Sequence, residues 1–275
     1  MAITAAEVNK LRQITGSGMM DCKNALVEAD GDIEKAIDIL RKKGQKVAAK
    51  RADRSANEGY VVAKTNKDNT YGAVLMLNCE TDFVGKTAEF IAAAESMIDL
   101  AVANQIKELK QLLDAKLDGQ TVNELLTNMT GKTGEKIELN QFEVIEKPFV
   151  VSYNHNGNRL ATIVGFNKKS ANIEVGKEIA MQIAAMSPVS VDETSVPKEV
   201  IERELDIARE QIRNEGKPEA MVEKIAQGKL NKFFKESTLI HQEFIRDAKK
   251  TVGQYLKEVD AELIVEKFYR LRLGE

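Results

Sequence analysis

Side chains that could support covalent or metal chemistry are few and badly spaced in this chain of 275 residues. Its only histidines are His155 and His241, and no cysteine or histidine pair has the spacing of a metal site. Gly131-Lys132-Thr133 looks like the end of a phosphate-binding loop, but Leu126 stands where that loop needs glycine. Because no candidate nucleophile has a neighbouring base either, the sequence predicts a protein that is not an enzyme and needs no cofactor or metal.

The run Glu80-Thr81-Asp82-Phe83-Val84-Gly85 is the first of three candidate contact sites, and it lies between a predicted strand and a predicted helix. From spacing alone, Asp82 is expected to cap the helix. Phe83 is expected to pack into the core as a hydrophobic staple. A contact role for this run is the alternative.

The second and third candidates are Met19-Met20 and His155. Adjacent side chains at the start of a helix point in different directions, so one of the two methionines is expected to be an exposed, adaptable contact. His155 precedes the turn signal Asn156-Gly157, where a solvent-exposed imidazole is expected.

The overall composition is that of a folded protein with no whole-molecule attraction to polyanions. With 40 basic and 43 acidic residues the net charge is −3, so any nucleic-acid or membrane contact must be local. Two cysteines are too few for a disulfide framework and fit a reducing compartment. There is no apolar run of membrane-spanning length, and Met1-Ala2-Ile3-Thr4 lacks signal-peptide character, so a cytoplasmic location is predicted.

Three short helices are predicted in the first 55 residues from apolar spacing at Val8 and Leu11, then Met20 and Leu26, then Ile33 to Leu40. Glycines are expected to end each of them, at Gly16, Gly31 and Gly44. Seven of the residues from 41 to 54 are Lys or Arg. A solvated helix tail or linker is the preferred interpretation of this basic run, and a nucleic-acid footprint is the alternative.

An internal repeat organises the middle of the chain. Tyr60-Val61-Val62 and Ala73-Val74-Leu75 match Phe149-Val150-Val151 and Thr162-Ile163-Val164 at a constant offset of 89 residues. Each copy predicts a β-hairpin followed by a helix. A third strand is predicted to close each unit, over 137–144 in the first and 265–273 in the second.

A helical hairpin is predicted between the second repeat helix and its closing strand. Ile201, Leu205, Ala208 and Ile212 step like the seam of a coiled coil, and Gly216-Lys217-Pro218 supplies a turn. Because this apolar seam is narrow, it can be buried only against the partner helix.

Two long motifs give the chain a family resemblance. The segment 11–23, with Gly16-Ser17-Gly18-Met19-Met20, and the segment Glu80-Thr81-Asp82-Phe83-Val84 resemble the translation elongation factor Ts family. Further landmarks follow in the family's order over almost the whole chain: Glu58-Gly59, Tyr153, His155, Arg159, Gly216-Lys217-Pro218-Glu219 and the segment 251–256.

The resemblance implies an α+β fold with four parts. They are an N-terminal ubiquitin-associated-like three-helix module with its basic linker at 1–55, a core of two repeated antiparallel-sheet-plus-helix subdomains at 56–146 and at 147–190 with 236–275, and an inserted coiled-coil hairpin at 191–235. Gly85, Asp53 and Glu243 depart from the residues usual in the family. An extra C-terminal helix of longer members is expected to be absent after Glu275.

The resemblance also implies a guanine-nucleotide exchange factor that binds elongation factor Tu in its GDP-bound and nucleotide-free forms. Thr81, Asp82, Phe83 and Val84 would then act on the partner's Mg²⁺ and phosphate site. Arg12, Met19, Met20 and His155 would make the other contacts. No direct nucleic-acid or membrane partner is expected, and self-association through the core stays open.

Two other functions are alternatives to nucleotide exchange. An adaptor that binds small folds through residues 1–55 would leave the repeat and Phe83 without a role. An RNA-binding translation factor would use the basic run at 41–54 and would lose affinity steeply with salt. On the exchange hypothesis, residues 1–55 are expected to fold independently and to contribute affinity rather than the exchange step.

Overall fold

The computed structural model describes residues 3–170 and 172–275, so the predictions that involve Met1 and Ala2 lie outside the described residues. The helices are α1 (Ala5–Thr15), α2 (Met19–Glu28), α3 (Ile33–Lys50), α4 (Asp82–Gly85), α5 (Ala88–Asn104), α6 (Leu109–Asp114), α7 (Val122–Thr133), α8 (Ile173–Met186), α9 (Lys198–Asn214), α10 (Glu219–Ser237) and α11 (Val252–Val259). The strands are β1 (Glu58–Thr65), β2 (Tyr71–Cys79), β3 (Lys116–Leu117), β4 (Gln120–Thr121), β5 (Glu138–Glu146), β6 (Phe149–Asn154), β7 (Leu160–Phe166), β8 (Glu243–Phe244), β9 (Asp247–Thr251) and β10 (Val265–Arg272). This mixture of helices and small antiparallel sheets confirms the α+β class.

The three N-terminal helices enclose a small apolar core. Thr4 and Glu7 form a reciprocal capping box at the start of α1, and Asp32 caps α3 as its sequence position predicts. The core includes Leu11, Cys22 and Leu26, all fully buried. The apolar side chains that hold these helices together therefore have the spacing from which the helices were predicted.

The prediction that Gly44 ends the third helix is wrong, because α3 continues to Lys50. Gly44 faces α7, where a Cβ atom on Gly44 would lie 3.0 Å from the backbone oxygen of Thr127. On the other side, a Cβ on Gly131 would lie 2.7 Å from the Cα of Gly44. Position 44 favours glycine because the backbones of α3 and α7 cross closely. The helix α7 was not predicted from the sequence.

The two predicted hairpins and their closing strands are confirmed. The first sheet has the order β1-β2-β5 and the second the order β6-β7-β10, with all neighbours antiparallel. In each sheet the middle strand is the second strand of the hairpin. The repeat in sequence is thus a repeat in topology.

The two sheets pack face to face, with helices on the outside. Alternate residues of β2 point to opposite sides, so Leu75 and Leu77 contact α5 and its neighbours while Val74 and Met76 face the second sheet. Residues Val150 and Ile163 of the second sheet belong to the same inter-sheet cluster. Because β2 is covered on both faces, every one of its residues is buried.

The helical hairpin is α9 and α10, joined by a turn at Gly216. Its apolar seam is a separate cluster that includes Ala208, Ile212 and Val222. Ion pairs such as Arg209–Glu223 lie along its exposed sides. A bridge between Ser190 and Thr238 joins the two chain segments at its base.

Candidate functional site

The site centres on the short helix α4, which follows directly after β2. Thr81 caps this helix, because its hydroxyl oxygen accepts a hydrogen bond from the Val84 N–H at 3.4 Å. The expectation that Asp82 is the cap is wrong. Asp82 is the first residue of the helix, and its carboxylate accepts a hydrogen bond from the Lys86 ammonium at 2.6 Å.

Phe83 projects from α4 into solvent and is 82% exposed. The expectation that it packs into the core as a staple is therefore wrong. A four-residue helix lying on the sheet edge turns only one side inward, and Val84 and Gly85 occupy that side. An aromatic ring left this exposed on a folded protein points to a contact with another molecule.

Close packing beneath α4 fixes its position. A Cβ atom on Gly85 would lie 3.3 Å from both the Cys79 sulfur and the Cα of Gly59, tighter than ordinary contact. Burial raises the pKa of the Cys79 thiol to about 12, so the thiol stays protonated and its Sγ donates to the Thr81 carbonyl oxygen at 3.0 Å. Glycine at position 85 fits this close packing.

The carboxylates of Glu80 and Glu135 accept hydrogen bonds that hold the chain in place just before α4. Glu135 accepts two hydrogen bonds from Thr81, from the hydroxyl at 2.6 Å and from the backbone N–H at 3.0 Å. Glu80 accepts a backbone hydrogen bond from Lys136 at 2.7 Å, and its two carboxylate oxygens accept from one nitrogen of Arg51, Nη1, at 2.7 and 2.9 Å. We call Arg51, Glu80, Thr81, Glu135 and Lys136 the clamp.

The charge state of the site at neutral pH follows from these contacts. The Lys136 N–H, and then Arg51, hold the pKa of Glu80 below its ordinary value. The hydrogen bond from Lys86 lowers the pKa of Asp82 in the same way. Both carboxylates are therefore ionised, and the exposed ring of Phe83 is presented beside a fixed negative charge.

The second hairpin brings His155 to the same region of the molecule as β1. Asn154 exchanges hydrogen bonds with the backbone of Ala63 at 2.7 and 2.9 Å, and the Val61 N–H donates to the carbonyl oxygen of Asn158 at 2.7 Å. The turn of the second unit thus covers the edge strand of the first. His155 is exposed, as expected, and its Nδ1 lies 3.0 Å from the Tyr153 hydroxyl.

A groove of about 350 Å³ lies between α4 and this hairpin turn. Asp82 and Lys86 line one side, Gly157 and Arg159 the other, and Tyr60 forms part of the floor. Arg159 forms an ion pair with Glu58 at the start of β1, which holds the turn against the first sheet. The groove makes the surface around Phe83 concave and mixed in charge.

The N-terminal candidates lie on other helices. Arg12 is on α1, and Met19 and Met20 begin α2. The methionines are 51% and 63% exposed, so both, rather than one, face solvent. Arg12 is exposed as well. The three exposed side chains, one basic and two apolar, are separate in sequence from α4, and we call them the N-terminal patch.

The described residues contain neither a metal-binding cluster nor a membrane-spanning helix. No group of three or more His, Cys, Asp or Glu side chains within residues 3–170 and 172–275 is arranged to hold a metal ion. None of the helices formed by those residues combines the length and the apolar character that a membrane crossing requires.

Comparison with known proteins gives the family. A model of the elongation factor TS family matches residues 80–275. The elongation factor Ts of Christiangramia forsetii is 52% identical over 273 residues, covering 99% of both chains. That of Amoebophilus asiaticus is 51% identical over 276 residues and all of both chains, and that of Flavobacterium psychrophilum is 50% identical over 273 residues and 99% of both. The chain belongs to the elongation factor Ts family.

The structure corrects the interpretation of the basic run at 41–54 as a solvated helix tail or linker. Its first part is helical, and three of its cations are in ion pairs within the protein: Lys43 with Asp21, and Arg51 and Arg54 with Glu80. The interpretation as a solvated tail or linker is therefore only partly right. Arg51 and Glu135 are site residues that the sequence analysis missed. The only signal for Arg51 was its charge complementarity to Glu80, and Glu135, which binds Thr81, had no such signal.

Proposed function

We propose that this chain promotes release of GDP from elongation factor Tu, so that the partner can be reloaded with GTP during protein synthesis. The main support is the 82% exposed Phe83 on a turn held by the clamp, inside the segment that the family model matches. The activity needs no covalent step and no cofactor. Its expected location is the cytoplasm.

In the proposed mechanism, residues 81–84 disturb the partner's Mg²⁺ and phosphate site. The Phe83 ring would wedge into apolar packing of the partner, while the Asp82 carboxylate competes for polar groups there. A weakened hold on Mg²⁺ weakens the hold on GDP. Thr81 and Val84 contribute by fixing the turn, since one caps it and the other anchors it to the core.

The remaining contacts are proposed to dock the two proteins. Arg12, Met19 and Met20 would bind through the N-terminal helices, which we interpret as a ubiquitin-associated-like module. Methionines suit such a surface because they are flexible and polarisable. His155 would contact the partner's nucleotide-binding domain from the second hairpin turn. Binding to a second copy of this chain is not needed in this scheme.

Thermodynamic linkage supplies the decisive experiment. Whatever lowers the partner's affinity for GDP must bind the GDP-bound partner less tightly by the same factor. Replacing Asp82 and Phe83 together by alanine should reduce that factor, so the variant binds elongation factor Tu but discriminates less between its empty and GDP-bound forms. Binding to both forms is measured by calorimetry, and release is followed with a fluorescent GDP analogue.

Matched variants on the N-terminal patch complete the test. Arg12→Ala or Met20→Ala should weaken both complexes in parallel and leave their ratio unchanged. The proposal is wrong if the wild-type chain, in catalytic amounts, does not accelerate GDP release. Asp82 and Phe83 have no role in it if their double variant discriminates and exchanges like the wild type. The isolated chain should show no micromolar binding of GDP in the same calorimeter.

A further inference from the structure

The end of α3 makes a direct contact with the turn that carries Phe83. Arg51 is the C-terminal capping residue of α3, and its Nη1 lies 2.7 and 2.9 Å from the two carboxylate oxygens of Glu80. The Glu80 side chain is 13% exposed and that of Arg51 31% exposed. Because both groups are partly buried, this charge-assisted contact is stronger than an ordinary surface ion pair.

The clamp joins three parts of the chain at one point. Lys136 donates its backbone N–H to Glu80, while the next residue, Thr81, donates its N–H to Glu135. The pairs 80–81 and 135–136 therefore hold each other crosswise. Arg51 adds the third part, because it approaches Glu80 from the helix that closes the N-terminal core.

The clamp is needed to orient Phe83 because the helix α4 is not stable by itself. A helix of four residues is too short to be stable alone, since nucleation is unfavourable and each added residue contributes little. Phe83 also has almost no contact area of its own, being 82% exposed. Its direction is thus set by Val84 below and by the clamp immediately before it.

We propose that Arg51 is a positioning residue for nucleotide exchange: it links the N-terminal helices to the turn at 80–85 and keeps Phe83 in its projecting orientation. This rests on the proposed exchange function. Because the turn acts on the partner's nucleotide site after the two proteins have bound, order in the turn is expected to raise the maximal exchange rate more than the affinity. Arg51 gives the segment at 51–55 a part in the exchange step, in contrast to the expectation that residues 1–55 supply affinity only.

The first arm of the test uses the isolated full-length chain and measures hydrogen exchange of the backbone amides of Thr81 and Val84, which are the hydrogen-bonded amides given for the segment 81–84. Arg51→Ala should raise their exchange about tenfold, the scale of one hydrogen bond to a charged group. Arg51→Lys keeps the charge but replaces the planar guanidinium by a compact ammonium, so its amide exchange should fall between that of Arg51→Ala and that of the wild type. Lys46→Ala is the matched control on the same helix, because the described residues give Lys46 no ion pair, and it should match the wild type.

The second arm measures GDP release from elongation factor Tu against the concentration of the chain. Arg51→Ala should lower the maximal rate severalfold, while the half-saturating concentration and the melting temperature stay near the wild-type values. Glu80→Gln keeps an acceptor for the Lys136 N–H, and combined with Arg51→Ala it should add little to either single change. Additive effects would overturn the inference, as would wild-type amide exchange at 81–84.

The two arms separate this inference from the proposed function. If the wild type fails to release GDP, the function is wrong, and the amide exchange still decides whether Arg51 holds the turn. If the wild type is active but Arg51→Ala raises only the half-saturating concentration, Arg51 is a docking residue and the inference is wrong. The inference would also be wrong if Arg51→Ala lowered the melting temperature but left amide hydrogen exchange at 81–84 unchanged.

Discussion

At the scale of single residues, Phe83 shows how an exposed aromatic side chain is maintained. The ring is not buried in the isolated chain, so no packing energy of its own holds it in one orientation. The neighbouring residues must therefore fix that orientation. Thr81 and Gly85 do so by capping and by close packing respectively. The same contacts leave Phe83 free to change without harming the fold.

Phe83→Ala should therefore leave stability almost unchanged. Phe90, at the start of α5, is the matched control because only 1% of it is exposed. Phe90→Ala should cost about 3–5 kcal/mol, the usual range for removing a buried phenylalanine. Urea denaturation followed by circular dichroism measures both. A loss of more than about 1 kcal/mol in Phe83→Ala would show that the ring packs against the protein after all.

At the scale of secondary-structure elements, the crossing of α3 and α7 is the contact that ties the N-terminal helices to the rest. Gly44 and Gly131 face each other there, which lets two helix backbones approach more closely than side chains would permit. Lys132 adds to this junction by lying against Gly16 at the end of α1 and pairing with Glu89 on α5. This junction fixes the position of the helices that carry Arg12, Met19 and Met20.

The same substitution in two helices should have opposite effects on stability. In Gly131→Ala the new methyl group would lie 2.7 Å from the Cα of Gly44, so α3 must move, and overpacking of this kind costs about 1–3 kcal/mol. In Gly228→Ala, within α10, the methyl group meets nothing within 4 Å, and the change should stabilise by about 0.5–1 kcal/mol. Denaturation by urea gives both values. A neutral Gly131→Ala would mean that the crossing is loose.

At the scale of the whole molecule, the two repeated units share one apolar layer. Val61 and Met76 of the first sheet contact the layer formed by Val150, Ile163 and Leu271 of the second. The hydrogen bonds from Asn154 to the edge strand β1 add a polar connection at the rim. Because neither sheet can bury its inner face alone, the two units are expected to unfold together.

Ile163→Ala tests this coupling. Ile163 is fully buried between the sheets, and its truncation should cost about 2–5 kcal/mol. Amide protection should fall by the same free energy in β1–β2 and in β6–β7, as measured by native-state hydrogen exchange. The seam of the α9–α10 hairpin is a separate cluster, so amides beside Ile212 should be less affected. Unchanged protection in β1–β2 would show that the units are independent.

Most of the elements, and the segment chosen as the candidate site, could be predicted from sequence patterns. Strand and helix periodicity are local properties, so the repeat, both hairpins and the coiled-coil seam at Leu205 and Ile212 could be predicted from spacing. The two long motifs likewise sufficed to indicate the family and residues 81–84. The role of a glycine such as Gly44 could not be predicted in this way, because a helix end and a close helix crossing both favour a residue without a side chain.

The contacts that hold the site, and the choice of which side chains face outward, depend on the packing of distant segments. Phe83 and Val84 are adjacent apolar residues, and the pattern does not say which of them the sheet edge leaves room for. Arg51 and Glu135 are 29 and 54 residues from their partners Glu80 and Thr81, so no local signal joins them. Their pairing depends on how distant segments pack, and it is this packing that turns an exposed ring into a fixed one.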